Sequence, residues 1–181
     1  MSSVIIVLCV IAMEIYVLLV VAAAKPDMFT VQRSASFDAP AERIFPWIND
    51  LRAHESWSPF DKPDWKSKSI HGGADRGPGA IYAWEGKGRA GSGWIAITQS
   101  QPHSRIEMQL DMLRPIRSRN TVVFTLEPRG ETTLVTWAVH GAVPFLAKIL
   151  HVFVNMDKMV GGEFRKGLVN LKTIVERQVG G

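Results

Sequence analysis

The sequence predicts an α+β protein: a curved, seven-stranded antiparallel sheet wrapped around one long C-terminal helix, preceded by a single membrane-spanning helix. Three observations carry this. Val4 to Ala24 is an almost unbroken apolar run. Behind it, the periodicity reads strand, two short helices, six strands and a final helical region. That last region places Met156, Met159, Val160, Phe164, Leu168, Leu171, Ile174 and Val175 at three- and four-residue spacings, the apolar stripe of a helix that covers a sheet. The chain therefore divides into an anchor, residues 1–25, and a domain, residues 26–181.

The apolar run is 21 residues long, which as a helix spans about 30 Å, the hydrocarbon thickness of a bilayer. Its one charged side chain, Glu14, costs about 3 kcal/mol near a helix centre, and the Val, Ile and Leu residues around it outweigh that. A cleaved signal peptide competes with this reading, because Ala22-Ala23-Ala24 resembles a small-residue cleavage site. Met1-Ser2-Ser3 lacks a basic n-region, however, and the run exceeds the usual apolar length of such peptides. An uncleaved single-pass anchor is favoured. The first basic residues, Lys25, Arg33 and Arg43, all follow the run. By the positive-inside bias they favour a cytoplasmic domain, with a periplasmic or exported one as the alternative. Cys9, the only cysteine, lies inside the run, so an intramolecular disulfide or a cysteine-rich zinc site is impossible.

Within the domain, Phe29 to Phe37 alternates as a strand. Pro40 opens a helix whose positive end suits Asp38 and Glu42, and Pro46 shortens or kinks it. Ile44, Phe45, Trp47 and Ile48 form its buried side. Residues 49–65 mix Trp57, Phe60 and Trp65 with Pro59 and Pro63, which predicts a short second helix and an irregular loop. Strands follow at about 66–71, 79–86, 93–101, 104–113, 118–128 and 131–140, with Gly, Pro or Asn near most turns. A helical region from Pro144 to Gln178, broken near Asn155, completes the chain. A strongly curved sheet gripping one helix rarely packs solid, so a cavity between the two is expected.

Lys and Arg number 21 against 17 Asp and Glu, a formal net charge of +4. The positives are scattered, with one tight group at Arg114, Arg117 and Arg119. A nucleic-acid binder would concentrate them along one element. An anionic membrane surface is the more natural partner, because the Pro26-Asp27-Met28 tether starts the domain within about 10–15 Å of the bilayer.

Several segments together carry a family resemblance: Phe29-Thr-Val-Gln-Arg-Ser34, Ala39-Pro40-Ala-Glu-Arg-Ile-Phe45, Ile48-Asn-Asp50, Trp57-Ser-Pro-Phe60, Trp84-Glu-Gly-Lys-Gly88, Asn120-Thr121, Val135-Thr-Trp-Ala138, and Met156-Asp-Lys-Met-Val-Gly161 with Gly167-Leu-Val-Asn-Leu-Lys172. From about Phe29 to Glu176 the chain resembles the START-domain and birch-pollen-allergen superfamily (SRPBCC, the helix-grip fold). Within it, the chain is similar to polyketide cyclase/dehydrase-like proteins that carry an N-terminal membrane helix. The resemblance implies a helix-grip domain and an apolar ligand. It does not supply a reaction, since the superfamily includes lipid carriers, aromatase/cyclases and ring-hydroxylase subunits.

Other motifs do not hold up. Gly86-Lys-Gly-Arg-Ala-Gly91 matches a dinucleotide fingerprint, but a strand rather than a helix follows it, so it reads as a hairpin. Gly72 to Gly79 lacks the ending of a phosphate loop and reads as a flexible connection near a cavity mouth. Asp61 and Asp64 read as solvated. The histidines at 54, 71, 103, 140 and 151 show no metal spacing, and His140 points outward by strand alternation. No catalytic set, metal site or cofactor is expected.

Strand alternation does propose a lining: Tyr82 and Trp84, Ile95 and Ile97, Met108, Phe124 and Trp137 on the sheet, with Met156 and Val160 on the final helix. Tyr82 adds a hydroxyl to an otherwise apolar wall. Two roles compete. One is a membrane-tethered, non-catalytic binder of an apolar small molecule or lipid. The other is a cyclase/dehydrase-like enzyme acting on an aromatic or isoprenoid substrate, with Tyr82 its first catalytic candidate and His140 or Glu85 distant ones. A scaffold contacting another membrane protein through Glu14 is the blander third. Gly161-Gly162 inside the final helix is unexplained by periodicity: each glycine costs about 0.8–1 kcal/mol there.

Overall fold

Alternating short-range apolar and polar residues build the sheet, and the structure, a computed structural model, describes residues 2–60, 66–86, 91–153 and 155–177. The apolar run forms helix α1 (Ser2–Ala23), followed by β1 (Met28–Phe37), α2 (Ala41–Asn49) and a single 3-10 turn, Ala53–Ser56. Six strands follow: β2 (Lys66–Gly73), β3 (Ala80–Gly86), β4 (Ser92–Gln101), β5 (Arg105–Arg114), β6 (Ser118–Arg129) and β7 (Thr132–Ala142). Helices α3 (Phe145–Phe153) and α4 (Met156–Arg177) end the described chain.

The strands form one antiparallel sheet in the order β1-β7-β6-β5-β4-β3-β2. Hairpins join β2 through β7 in sequence order, and β1 closes onto β7 with Val31 opposite Val139 and Phe37 opposite Thr133. This is the helix-grip architecture. Strict alternation along β7 buries Val135, Trp137 and Val139 while Thr136, Ala138 and His140 take the other face. His140 is thus on the convex side, as alternation predicts.

The predicted break near Asn155 separates α3 from α4, and Asn155 itself caps α4. The Lys158 amide donates to Asn155 Oδ1 at 3.0 Å, the satisfied orphan donor of an N-cap. From there α4 runs along β1. Lys172 Nζ donates to the Ser36 carbonyl at 2.7 Å, and the Asp38 amide donates to Glu176 Oε1 at 2.8 Å. Short α2 and the 3-10 turn close the far end of the sheet. The Trp57 indole donates to the Trp47 carbonyl at 3.1 Å, and His54 Nε2 donates to the Ile48 carbonyl at 2.8 Å. The Gly72–Gly79 segment also belongs to that closed end. It is pinned to α2, with the Gly77 amide on the Asn49 carbonyl at 2.8 Å and Arg52 paired to Asp75.

The helix glycines divide by what surrounds them. α4 is continuous through Gly161-Gly162. A Cβ on Gly161 would fall 2.2 Å from an Arg33 nitrogen, whereas one on Gly162 meets nothing within 4 Å. Gly167 is the tightest approach to the sheet: a Cβ there would lie 2.7 Å from the Trp137 ring and 3.0 Å from Pro59. That absence lets Phe164, one turn earlier, stack on Trp137 with ring centroids 4.1 Å apart and planes 10° from parallel. Gly167→Ala is therefore expected to destabilise by about 1–3 kcal/mol through overpacking. Gly162→Ala is expected to stabilise by up to about 1 kcal/mol through helix propensity. Denaturant midpoints of the detergent-solubilised full chain check the pair, and an inverted order would remove Gly167 as the point of closure.

Candidate functional site

The concave face is graded from one end to the other. At the end closed by α2, the side chains are fully buried: Ile97, Ile106, Met108 and Phe124 share one core cluster with Leu168 and Leu171 of α4, with almost no exposure. Trp57 packs edge-on against both Phe124 and Trp137, and Phe60 packs edge-on against Trp137 and Phe164. This half is a solid aromatic core.

Toward the end where α1 enters, apolar side chains remain on the same face but lose their cover. Phe29, Trp84, Ile95, Leu110 and Val160 are only partly buried against the core, and Met156 is half-buried. Register brings the sheet residues together. Leu110 lies opposite Ile95, Ile95 opposite Tyr82, and Trp84 opposite Gly93. Gly93 has no side chain, and the Trp84 indole occupies that place, within 3.0 Å of where a Cβ would be. Tyr82 and Trp84 stack at 6.0 Å.

The predicted lining thus splits into two groups. Ile97, Met108, Phe124 and Trp137 belong to the solid half. Tyr82, Trp84, Ile95, Met156 and Val160 surround the half-open end. Asp61 and Asp64 lie outside the described residues, as do residues 87–90 of the glycine-rich hairpin, whose flanks β3 and β4 are confirmed as strands. Among the described residues no group of His, Cys, Asp and Glu is arranged to hold a metal ion.

Two residues escaped sequence reasoning. Asn120 shares the inward parity of Val122, Phe124 and Leu126 and lies opposite both Leu110 and Gly141. It is 7% exposed; its Nδ2 donates to Ser118 Oγ at 3.2 Å, while Oδ1 is buried without a hydrogen-bond partner. An uncompensated buried polar atom costs about 1–3 kcal/mol, so Asn120 is the polar mark on this wall. His71 is the second. It pairs across from Tyr82, lies 4.7 Å from its ring, and meets Glu55 Oε1 at 3.3 Å. Parity along β6 could have found Asn120. His71 needed the β2–β3 register.

Arg33 fastens the start of α4 over this wall. Its guanidinium donates to both Asp157 carboxylate oxygens at 3.0 and 2.8 Å and to the Asp157 carbonyl at 3.0 Å. The space it fills is the one Gly161 leaves. The hydrogen bonds from Arg33 hold the Asp157 carboxyl below its usual 3.8 and raise Arg33. A carboxyl depressed in the folded state stabilises above its unfolded pKa, and that contribution is lost as pH falls through the folded value.

Fold and site together define a helix-grip domain with one open apolar end. Residues 28–176 match the family described as polyketide cyclase / dehydrase and lipid transport, and the chain belongs to that family. No curated protein matches the sequence significantly. Among solved structures, protein CV1439 from Chromobacterium violaceum is similar at 15% identity and a TM-score of 0.56, over 83% of this chain and 99% of that one. Protein MLL2253 from Mesorhizobium loti gives 15% identity and 0.59, over 82% and 98%. Ara h 8.0201 gives 11% identity and 0.54, over 83% and 99%. At such identities these likenesses speak for the fold alone.

Melting temperature against pH tests the Arg33–Asp157 clamp. The wild type is expected to lose stability as pH falls below about 4, and Asp157→Asn to be less stable at neutral pH with a flatter acid limb. Superimposable profiles would show that the clamp contributes nothing.

Proposed function

We propose that the protein is a membrane-anchored carrier or holder of an apolar small molecule or lipid, with residues 1–25 as anchor and 26–181 as the binding domain. The observation that carries this reading is the half-open, apolar end of the concave face, on the side where the anchor enters. Trp84, Ile95, Leu110, Met156 and Val160 supply apolar contact, Tyr82 borders them, and Asn120 offers one hydrogen-bonding amide to a ligand's polar group. Helix α1 is long and apolar enough to cross a membrane, which would put a reservoir of such molecules beside the site. Hydrophobic binding also accords with the family description. Lys25, Arg33 and Arg43 support a cytoplasmic domain.

One observation favours a second reading, a cyclase/dehydrase-like enzyme. At the edge of the same wall Glu55 lies 3.3 Å from His71 Nε2, and the His71 ring packs on that of Tyr82; a carboxylate-oriented imidazole is a candidate general base.

Native mass spectrometry of the full chain released from detergent is expected to show one apolar molecule bound per protein. Trp84→Ala is expected to weaken retention at least about tenfold, a loss of about 1.4 kcal/mol, while Val169→Ala on the exposed face of α4 leaves it unchanged. An empty wild type would overturn the binder. Release of a chemically altered molecule that is lost in His71→Ala and Tyr82→Phe would decide for the enzyme. A reporter active only in the cytoplasm, fused after Gly181, should give signal; silence there with expression intact would reverse the orientation.

A further inference from the structure

Helix α3 is an odd surface helix. Its nine residues, Phe-Leu-Ala-Lys-Ile-Leu-His-Val-Phe, carry one fixed charge, Lys148. That charge does not face water: the Lys148 side chain is 8% exposed, and its Nζ donates to Asp27 Oδ1 at 2.5 Å. Phe145, at the start of the helix, is 50% exposed. The element α3 chiefly packs on is α1. Leu18 and Ala22 are the α1 residues it helps cover, and Val152 shares with Met13, Glu14, Val17 and Val21 an apolar groove of about 340 Å³.

These contacts fix a depth. The start of α3 is level with the tether, since the Val143 amide donates to the Asp27 carbonyl at 2.7 Å. Its far end lies beside Met13 to Val21, a stretch rising about 12 Å along α1. Half the hydrocarbon thickness is about 15 Å. The register places further groups at the same end of the sheet. Met28 and Ala142 are paired there, and the β5–β6 turn, with exposed Arg117, leaves the sheet at the same end.

From this we infer that α3 lies within the membrane leaflet nearest the domain, against α1, so that the half-open end of the concave face meets lipid and not water. The inference rests on the anchor reading above. The occupant of the α1–α3 groove is lipid acyl chain, and Arg117 of the β5–β6 turn meets anionic headgroups at the leaflet surface. Continuity with α1 carries the assignment: a helix that packs on the proximal half of a spanning helix shares its solvent.

Spin labels test it in the full chain, reconstituted in phosphatidylcholine vesicles containing a minority of phosphatidylserine. Cys9 is the natural label site within α1. Val152→Cys, Phe145→Cys and Val169→Cys, each with Cys9→Ala, report the two ends of α3 and the exposed face of α4. Collisions with an aqueous nickel chelate are expected to fall severalfold at 152 relative to 169, with 145 between them. Labels at 145 and 152 as accessible as 169, with Cys9 still shielded, would overturn the placement of α3 and leave the anchor standing. A water-accessible Cys9 would overturn both.

Discussion

The approach of α4 to β7 at Gly167 is the contact on which the rest of the concave side depends. A helix carrying a side chain there would ride higher, and Phe164 could not lie flat on Trp137. Aromatic stacking of this kind adds about 0.5–1.5 kcal/mol beyond the burial itself. More important is what the close approach excludes. With α4 pressed down at its middle, Leu168 and Leu171 seal the half of the sheet that α2 also covers. The other half, beyond the start of α4, is left with the partly buried side chains of β3 to β5.

Charges are distributed around this hinge point in a consistent way. Arg33 clamps the first turn of α4 through Asp157, and Lys172 with Glu176 ties the last turns to Ser36 and Asp38. Arg33 and Ser36 lie on β1, and Asp38 directly follows it. The edge strand therefore does two jobs: it closes the sheet against β7 and holds the helix in register along its length. Four of its inward positions, Phe29, Val31, Ala35 and Phe37, are apolar and pack on the core; at the fifth, Arg33, a guanidinium standing in the gap left by Gly161 supplies the contact.

Much of this was legible in the sequence because period-2 alternation is strong from β3 to β7 and the final stripe is unambiguous. Strand positions, the break at Asn155 and the outward direction of His140 follow from local pattern. The grading of the site did not. Ile97 and Ile95 are equivalent by alternation, yet one is sealed and the other is half-open, because the difference is set by where α4 begins and not by β4. Gly161 and Gly162 are likewise indistinguishable in one dimension, and only one of them has an arginine against it. Asn120 was readable by parity, but one polar residue on an apolar strand face makes no pattern of its own. The loop at Gly72–Gly79 looked free because its partners, Asn49 and Arg52, are distant in sequence.

The division of the sheet into a sealed half and a loose half has an evolutionary consequence. Substitutions at Trp84, Ile95 or Leu110 alter the shape of the open wall without disturbing the aromatic cluster of Trp57, Phe124, Trp137 and Phe164. The open wall can thus be reshaped while the folding core stays intact. Structures 11–15% identical to this chain share its architecture, so the fold persists through replacement of most of its side chains.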